Sequence, residues 1–279
     1  MTKGIRPLLK IIALASCLSI FMACASHLKE AKFFYAQGEE FASAYQTPKA
    51  VASFKRSLLE AEREAKKHPS AQAYMLKGLA ELNLEMWEAA KKSFLRAHSY
   101  GFEKGEEWAS QLTLFGLATT LLEMGLEEPA ARVFKSLLDK SRFDPVTGLA
   151  AQRYVKLGLD RALRSESPER EKILSDLLKT TDKLIGRDFG CGYCHYLQSQ
   201  VLSHLSEFGR SFESAVMAKE IGLPTEQIGR DNDNQIVFCY RKLKETLDAS
   251  LWSEFESLYQ AWIKRWGWED PEKPAWTKR

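Results

Sequence analysis

Residues Ala73 to Ala97 read AYMLKGLAELNLEMWEAAKKSFLRA. Tyr74 precedes Gly78 by four, and Ala90 precedes Phe94 by four. On an α-helix a spacing of four places two side chains on one face, one turn apart. The stretch therefore predicts two consecutive helices. In the first, a small residue lets a neighbouring helix approach closely, with an aromatic ring one turn back. In the second, a small and a large residue on adjacent turns interlock with the next pair.

The same slots return at a shift of 40. Gly38, Gly78, Ala118 and Gly158 fall in register, as do Phe34, Tyr74, Leu114 and Tyr154. Ala50, Ala90 and Ala130 align, followed four residues later by Phe54, Phe94, Phe134 and Leu174. Thr47-Pro48 and Ser167-Pro168 stand three periods apart. Each pair predicts a helix start, with a hydroxyl N-cap and Pro at the first helical position. So many coincidences at one spacing mark an internal repeat.

With these residues in place, the chain resembles the tetratricopeptide repeat (TPR) family. Tyr74, Gly78, Trp87, Ala90, Phe94 and Ala97 occur in that family's order and spacing, and RYVKLG (Arg153 to Gly158) repeats the opening. The resemblance covers residues 29–185. It implies an all-α fold, a right-handed α-solenoid of antiparallel helix pairs with a period of about 40 residues, against the family's usual period of about 34. The surplus falls in longer second helices (Phe54 to Ser70) or in loops (His98 to Glu107), and in the fourth unit Arg170 replaces the expected alanine. Sel1-like and HEAT-like helix pairs approach this length and are the rival folds.

Past residue 185 the register is partial. Cys194 falls in the slot of Tyr154, and Leu197 in that of Leu157. Residues 236–247 and 250–266 form a last pair, with Gly222 to Asn234 read as the loop before it. Trp252, Phe255, Tyr259, Trp262 and Trp266 recur at three- and four-residue steps, the stripe of a helix that caps an array or docks a partner. We thus read 24–185 as four pairs, 186–267 as two degenerate pairs with an aromatic capping helix, and 268–279 as a flexible tail.

The N-terminus MTKGIRPLLKIIALASCLSIFMACAS has a basic start and an uncharged run from Ile11 to Met22. That run is shorter than the ~20 residues that span a bilayer and fits a signal peptide, residues 1–23. FMAC resembles the lipobox of bacterial lipoproteins and implies lipid on Cys24, although Phe21 stands where Leu is usual. LASC at Leu14 to Cys17, and cleavage at the Ala23-Cys24-Ala25 site, are the alternatives. The chain has 40 basic and 37 acidic residues, net +3, and Lys3, Arg6 and Lys10 account for the excess. The remainder is balanced, which argues against nucleic acid as a partner.

Cys191-Gly-Tyr-Cys194-His195 spells C-x-x-C-H. It reads as a structural disulfide among Cys191, Cys194 and Cys239, with Cys239 one unit later able to close a loop of nearly fifty residues. It also reads as packed thiols, as a metal site of Cys191, Cys194, His195 and Cys239, or as a c-type haem held by Cys191, Cys194 and His195. We expect no resident cofactor and no metal, with the haem protein as the alternative function. Asp188-Phe-Gly lacks any phosphate loop beside it, and Asp231 to Asn234 lacks calcium-loop spacing and reads as a turn. No catalytic constellation emerges, so we expect a non-enzyme. The resemblance implies a groove of first helices that holds a peptide. Its lining would be Lys32, Tyr35, Gln72, Met75, Asn83, Phe115, Thr119, Gln152 and Lys156, with Met75 and Phe115 making its middle apolar. The expected role is a protein-binding scaffold: a lipoprotein of the periplasm, outer-membrane-anchored through its lipid, that assembles other envelope proteins.

Overall fold

A computed structural model describes residues 26–140 and 145–278. Cys24 and the leader 1–23 lie outside the described residues. Among those described there are twelve α-helices and no strand. They are α1 (His27–Ser43), α2 (Thr47–Lys67), α3 (Ala71–Asn83), α4 (Trp87–Tyr100), α5 (Glu107–Glu123), α6 (Glu127–Lys140), α7 (Pro145–Arg164), α8 (Glu169–Arg187), α9 (Gly192–His204), α10 (Phe208–Ile221), α11 (Glu226–Thr246) and α12 (Ala249–Arg265). The chain divides into two compact units at Val133/Phe134. None of the described helices is long and apolar enough to cross a membrane.

In the first unit, α1 packs on α2, α3 on α4, and the first helix α3 touches both its neighbouring first helices, α1 and α5. The turn inside each pair has one recurring geometry. Tyr45, Glu85 and Gly125 have φ of 57°, 60° and 74°, spaced by the repeat itself, and Ser206 in the second unit has φ 62°. Around Glu85, the N–H of Glu85 donates to Leu82 O at 3.0 Å and that of Met86 to Glu81 O at 2.9 Å. Tyr45/Gln46, Gly125/Leu126 and Ser206/Glu207 repeat both bonds. Each is a Schellman C-cap, which returns two orphan carbonyls to the hydrogen-bonded state and reverses the chain. Only one of the four left-handed positions holds glycine, the residue that reaches this conformation without strain.

Packing follows the small/large slots. Phe94 is fully buried. A Cβ added to Gly78 would lie 2.9 Å from its ring, and one added to Gly116 on α5 would collide with the ring's far edge. One phenyl group thus wedges between successive first helices, and glycine on both sides makes the room. Gly38 faces Phe54 in the same way, at 2.5 Å. In the second unit the slot slips: Gly158 meets Leu177, not Leu174, although both leucines are buried.

Helix starts depart from expectation. Thr47 is the first residue of α2, not its cap; the cap position is Gln46, with no side-chain bond. Ser167 Oγ donates to Glu171 rather than capping α8. Side-chain oxygen caps form at Ser26, Ser70, Thr225 and Asp248. The loop expected over Gly222 to Asn234 is mostly helix, because Thr225 caps α11 and the helix runs from Glu226.

In the second unit, Phe212, Ile236, Tyr240, Tyr259 and Ile263 form a buried cluster with Trp268. The aromatic stripe of α12 supplies its cover. Tyr259 is fully buried, 4.6 Å from the Tyr240 ring and 5.5 Å from Phe212. The segment read as a flexible tail is packed: Tyr259 donates to Pro271 O at 2.7 Å, and Trp276 Nε1 donates to Asp233 at 3.2 Å.

Candidate functional site

In the first unit, side chains on the first helices join into a polar strip. Lys32 of α1 donates to Gln72 Oε1 of α3 at 2.8 Å, and Gln72 Nε2 donates onward to Glu106, just before α5. Lys32 and Gln72 are the same position of successive repeats. Toward the other end of these helices, Asn83 Nδ2 donates to Tyr35 Oη at 3.1 Å and to Glu39 at 3.2 Å. Burial, then the neighbouring Glu39 charge, pushes the Tyr35 hydroxyl well above its ordinary pKa, so it stays protonated. Beside the strip lies an open cleft of about 610 Å³, lined by Leu28, Ser70, Gln72, Tyr100, Phe102 and Glu106.

The nine expected groove residues separate. Lys32, Tyr35, Gln72 and Asn83 belong to the strip. Phe115 and Thr119 are half-buried on α5, and Gln152 and Lys156 are exposed on α7 of the second unit. Met75 is 1 % exposed and is a core residue, because it points between α3 and its neighbours rather than along the strip. Glu39 and Glu106 were missed. Glu39 stands one turn after Tyr35, a signal legible in the sequence; Glu106 sits in a loop, where helical periodicity says nothing.

In the second unit the C-x-x-C-H sits at the start of α9. Cys191 is the N-cap and is bonded to Cys194 as a disulfide, with Cα atoms 5.3 Å apart. Cys239 is free and buried, with its sulfur 3.2 Å from Ser211 Oγ, so the expected long-range bridge to Cys239 does not form. The difference is energetic as well as topological. A bridge closing nearly fifty residues would contribute up to about 4 kcal/mol in the chain-entropy model, whereas one closing four contributes about 2 kcal/mol. A Cβ on Gly192 would collide with the carbonyl of Gly222, so this turn is pressed against the end of α10. His195 is 5 % exposed, its Nε2 lies 3.3 Å from Phe189 O, and burial lowers its pKa, which keeps the ring neutral.

For a c-type haem to attach, the two sulfurs, joined here to each other, would have to part, and His195 would have to turn from the Phe189 carbonyl. Cys239 lies against Ser211 and Gln235. Elsewhere, His27, Glu30 and Glu60 bring ligand-type atoms within 4.8 Å. Arg63 holds Glu60 at 2.6 Å and Lys67 lies 3.2 Å from His27 Nε2, so the group is an ion-pair cluster already supplied with cations.

A polar centre that the sequence reading took for a turn lies between α10 and α11. Asp233 is 5 % exposed and accepts from Lys219 at 2.6 Å. The Lys219 ammonium lies 5.4 Å from the Trp266 ring centre and 5.2 Å from that of Trp268. Desolvation raises the Asp233 pKa, and the hydrogen bond and charge of Lys219 pull it back.

No protein-family model and no curated protein matches the sequence. Among solved structures, the chain is similar to YrrB, described as a TPR protein with an unusual peptide-binding site: 18 % identity, 71 % of this chain and 89 % of that one, TM-score 0.40. It is similar to PilF of Pseudomonas aeruginosa at 12 % identity, over 83 % of this chain and 98 % of that one, TM-score 0.48. It is also similar to the TPR2AB domain of yeast Sti1, described as a TPR2AB-domain:pHSP90 complex: 13 % identity, 77 % of this chain and 84 % of that one, TM-score 0.36.

Proposed function

We propose that this chain is a non-catalytic protein-binding scaffold, a helix-repeat lipoprotein of the bacterial envelope that holds another protein or peptide during complex assembly. The observation that supports this reading is the strip Lys32–Gln72–Glu106 with its companion Tyr35–Asn83–Glu39. Two successive first helices, with the residue leading into the third, present donors and acceptors in one line beside an open cleft, which suits the backbone and polar side chains of a bound segment. The exported, outer-membrane location rests on the leader 1–23 and on Cys24. Several acyl chains, at about 0.8 kcal/mol per buried methylene, hold such a protein on a bilayer.

Two experiments test it. Gln72→Ala with Asn83→Ala is expected to lower the recovery of crosslinked partner proteins from native envelopes about tenfold, equivalent to ~1.4 kcal/mol of lost contact. Far-ultraviolet dichroism is expected to stay unchanged, since Asn83 is exposed and Gln72 half-buried. Unchanged recovery would remove the strip as the binding face. Cys24→Ser is expected to move the protein from the membrane to the soluble fraction, and persistent membrane partition would remove the lipid anchor.

A further inference from the structure

We propose that Cys191 and Cys194 form a thiol–disulfide exchange site that accepts electrons from a dithiol on another protein, an activity separate from the scaffold role. The bridge closes a very short loop, so it constrains the unfolded chain less than a bridge to Cys239 would. Its placement instead suits chemistry. The two sulfurs belong to residues of unequal access: Cys191 is 6 % exposed and Cys194 is not exposed at all. The segment leading into Cys191, from Arg187 to Gly190, is exposed, and Phe189 within it is 67 % exposed. An incoming sulfur therefore meets Cys191 first, and Phe189 offers an apolar contact beside it.

The helix start favours the charge that exchange creates. The Cys194 N–H points at Cys191 Sγ, 3.1 Å away, and Cys191 occupies the cap of α9. A thiolate at such a position is stabilised by the unpaired N–H groups of the first turn. Cys239, the other described cysteine, is held off by Ser211 and Gln235 and does not compete.

The exchange runs in two displacements. A partner thiolate attacks Cys191 Sγ, the Cys191–Cys194 bond breaks, and its electron pair leaves on Cys194, which takes up a proton. The partner's second thiolate then attacks the partner sulfur of the mixed disulfide, and the electron pair leaves on Cys191. The partner is left with a disulfide; the chain has gained two electrons and holds a dithiol.

The test uses the full chain and its own buried thiol as an internal control. The folded protein is treated with dithiothreitol, pulsed with a maleimide, and the labelled cysteines are identified by peptide mass. Labelling at Cys191 is expected at least about tenfold faster than at Cys239, with helicity retained, because exchange follows access and thiolate character. Reduction of the pair only as fast as Cys239 becomes labelled would show that the bridge opens only on unfolding, and would overturn the proposal. The direction of attack is read from single variants. Cys194→Ser is expected to form a mixed disulfide with oxidised glutathione at Cys191 about tenfold faster than Cys191→Ser does at Cys194. The reverse order would overturn the assignment of Cys191 as the entry sulfur.

Discussion

Phe94→Ala is expected to lower the unfolding free energy by about 3–5 kcal/mol, the range for a fully buried phenylalanine that leaves a cavity behind. Phe94 is 0 % exposed and its ring lies against Gly78 on one side and Gly116 on the other. Neither glycine has a side chain to fill the space, so local collapse offers little relief. The loss is read as a lower urea midpoint of the dichroism at 222 nm, with an unchanged slope. The converse change tests the same wedge. Gly116→Ala gains up to about 1 kcal/mol of helix propensity but forces a methyl group into the Phe94 ring, where overpacking costs ~1–3 kcal/mol. Adding Phe94→Leu to Gly116→Ala is expected to recover part of that loss, giving a coupling of about 0.5–3 kcal/mol in the double-mutant cycle. Additive effects would mean that the two residues do not meet.

Lys219→Met is expected to destabilise the second unit by about 2–4 kcal/mol at neutral pH, because removing one partner leaves a buried carboxylate without its counter-ion. Among the described residues, Asp233 would keep only Trp276 as a donor. The effect has a definite pH dependence. The folded-state pKa of Asp233 is raised, first by burial, above its value in the unfolded chain. Between those two values the folded state binds the proton and the unfolded state does not, so acidification favours folding there. Loss of Lys219 raises the folded pKa further. The deficit of the variant is therefore largest above that pKa and shrinks as pH falls through it. Trp252, Trp262, Trp266, Trp268 and Trp276 all lie in this unit, so tryptophan fluorescence during urea titration at neutral and mildly acidic pH is the measurement. A deficit that grows on acidification would contradict the buried-carboxylate account.

How much of this was legible before the structure depends on distance along the chain. The slots Tyr74–Gly78 and Ala90–Phe94 announce helix pairs because the two residues of each lie one helical turn apart, and such spacing states which face is buried. The strip was half legible: Lys32, Tyr35, Gln72 and Asn83 all lie on first helices, but Met75, in the repeat slot of Tyr35, turned inward. The tail and the stretch Asp231 to Asn234 were misread because polar composition suggests solvent. In the fold, Asp233 finds Lys219 and the tail finds Tyr259, and both satisfactions come from elsewhere.

The sequence by itself determined an all-helical repeat with a 40-residue period, since that depends only on apolar faces recurring at fixed local spacing. The tertiary structure alone decided that Cys191 pairs with Cys194 while Cys239 stays free, that Tyr45, Glu85 and Ser206 adopt left-handed turns, and that Lys219 meets Asp233. The reason is physical. Periodicity fixes the direction in which a side chain points, whereas a bond, a strained turn or a buried ion pair depends on what the rest of the chain brings within a few ångströms of it.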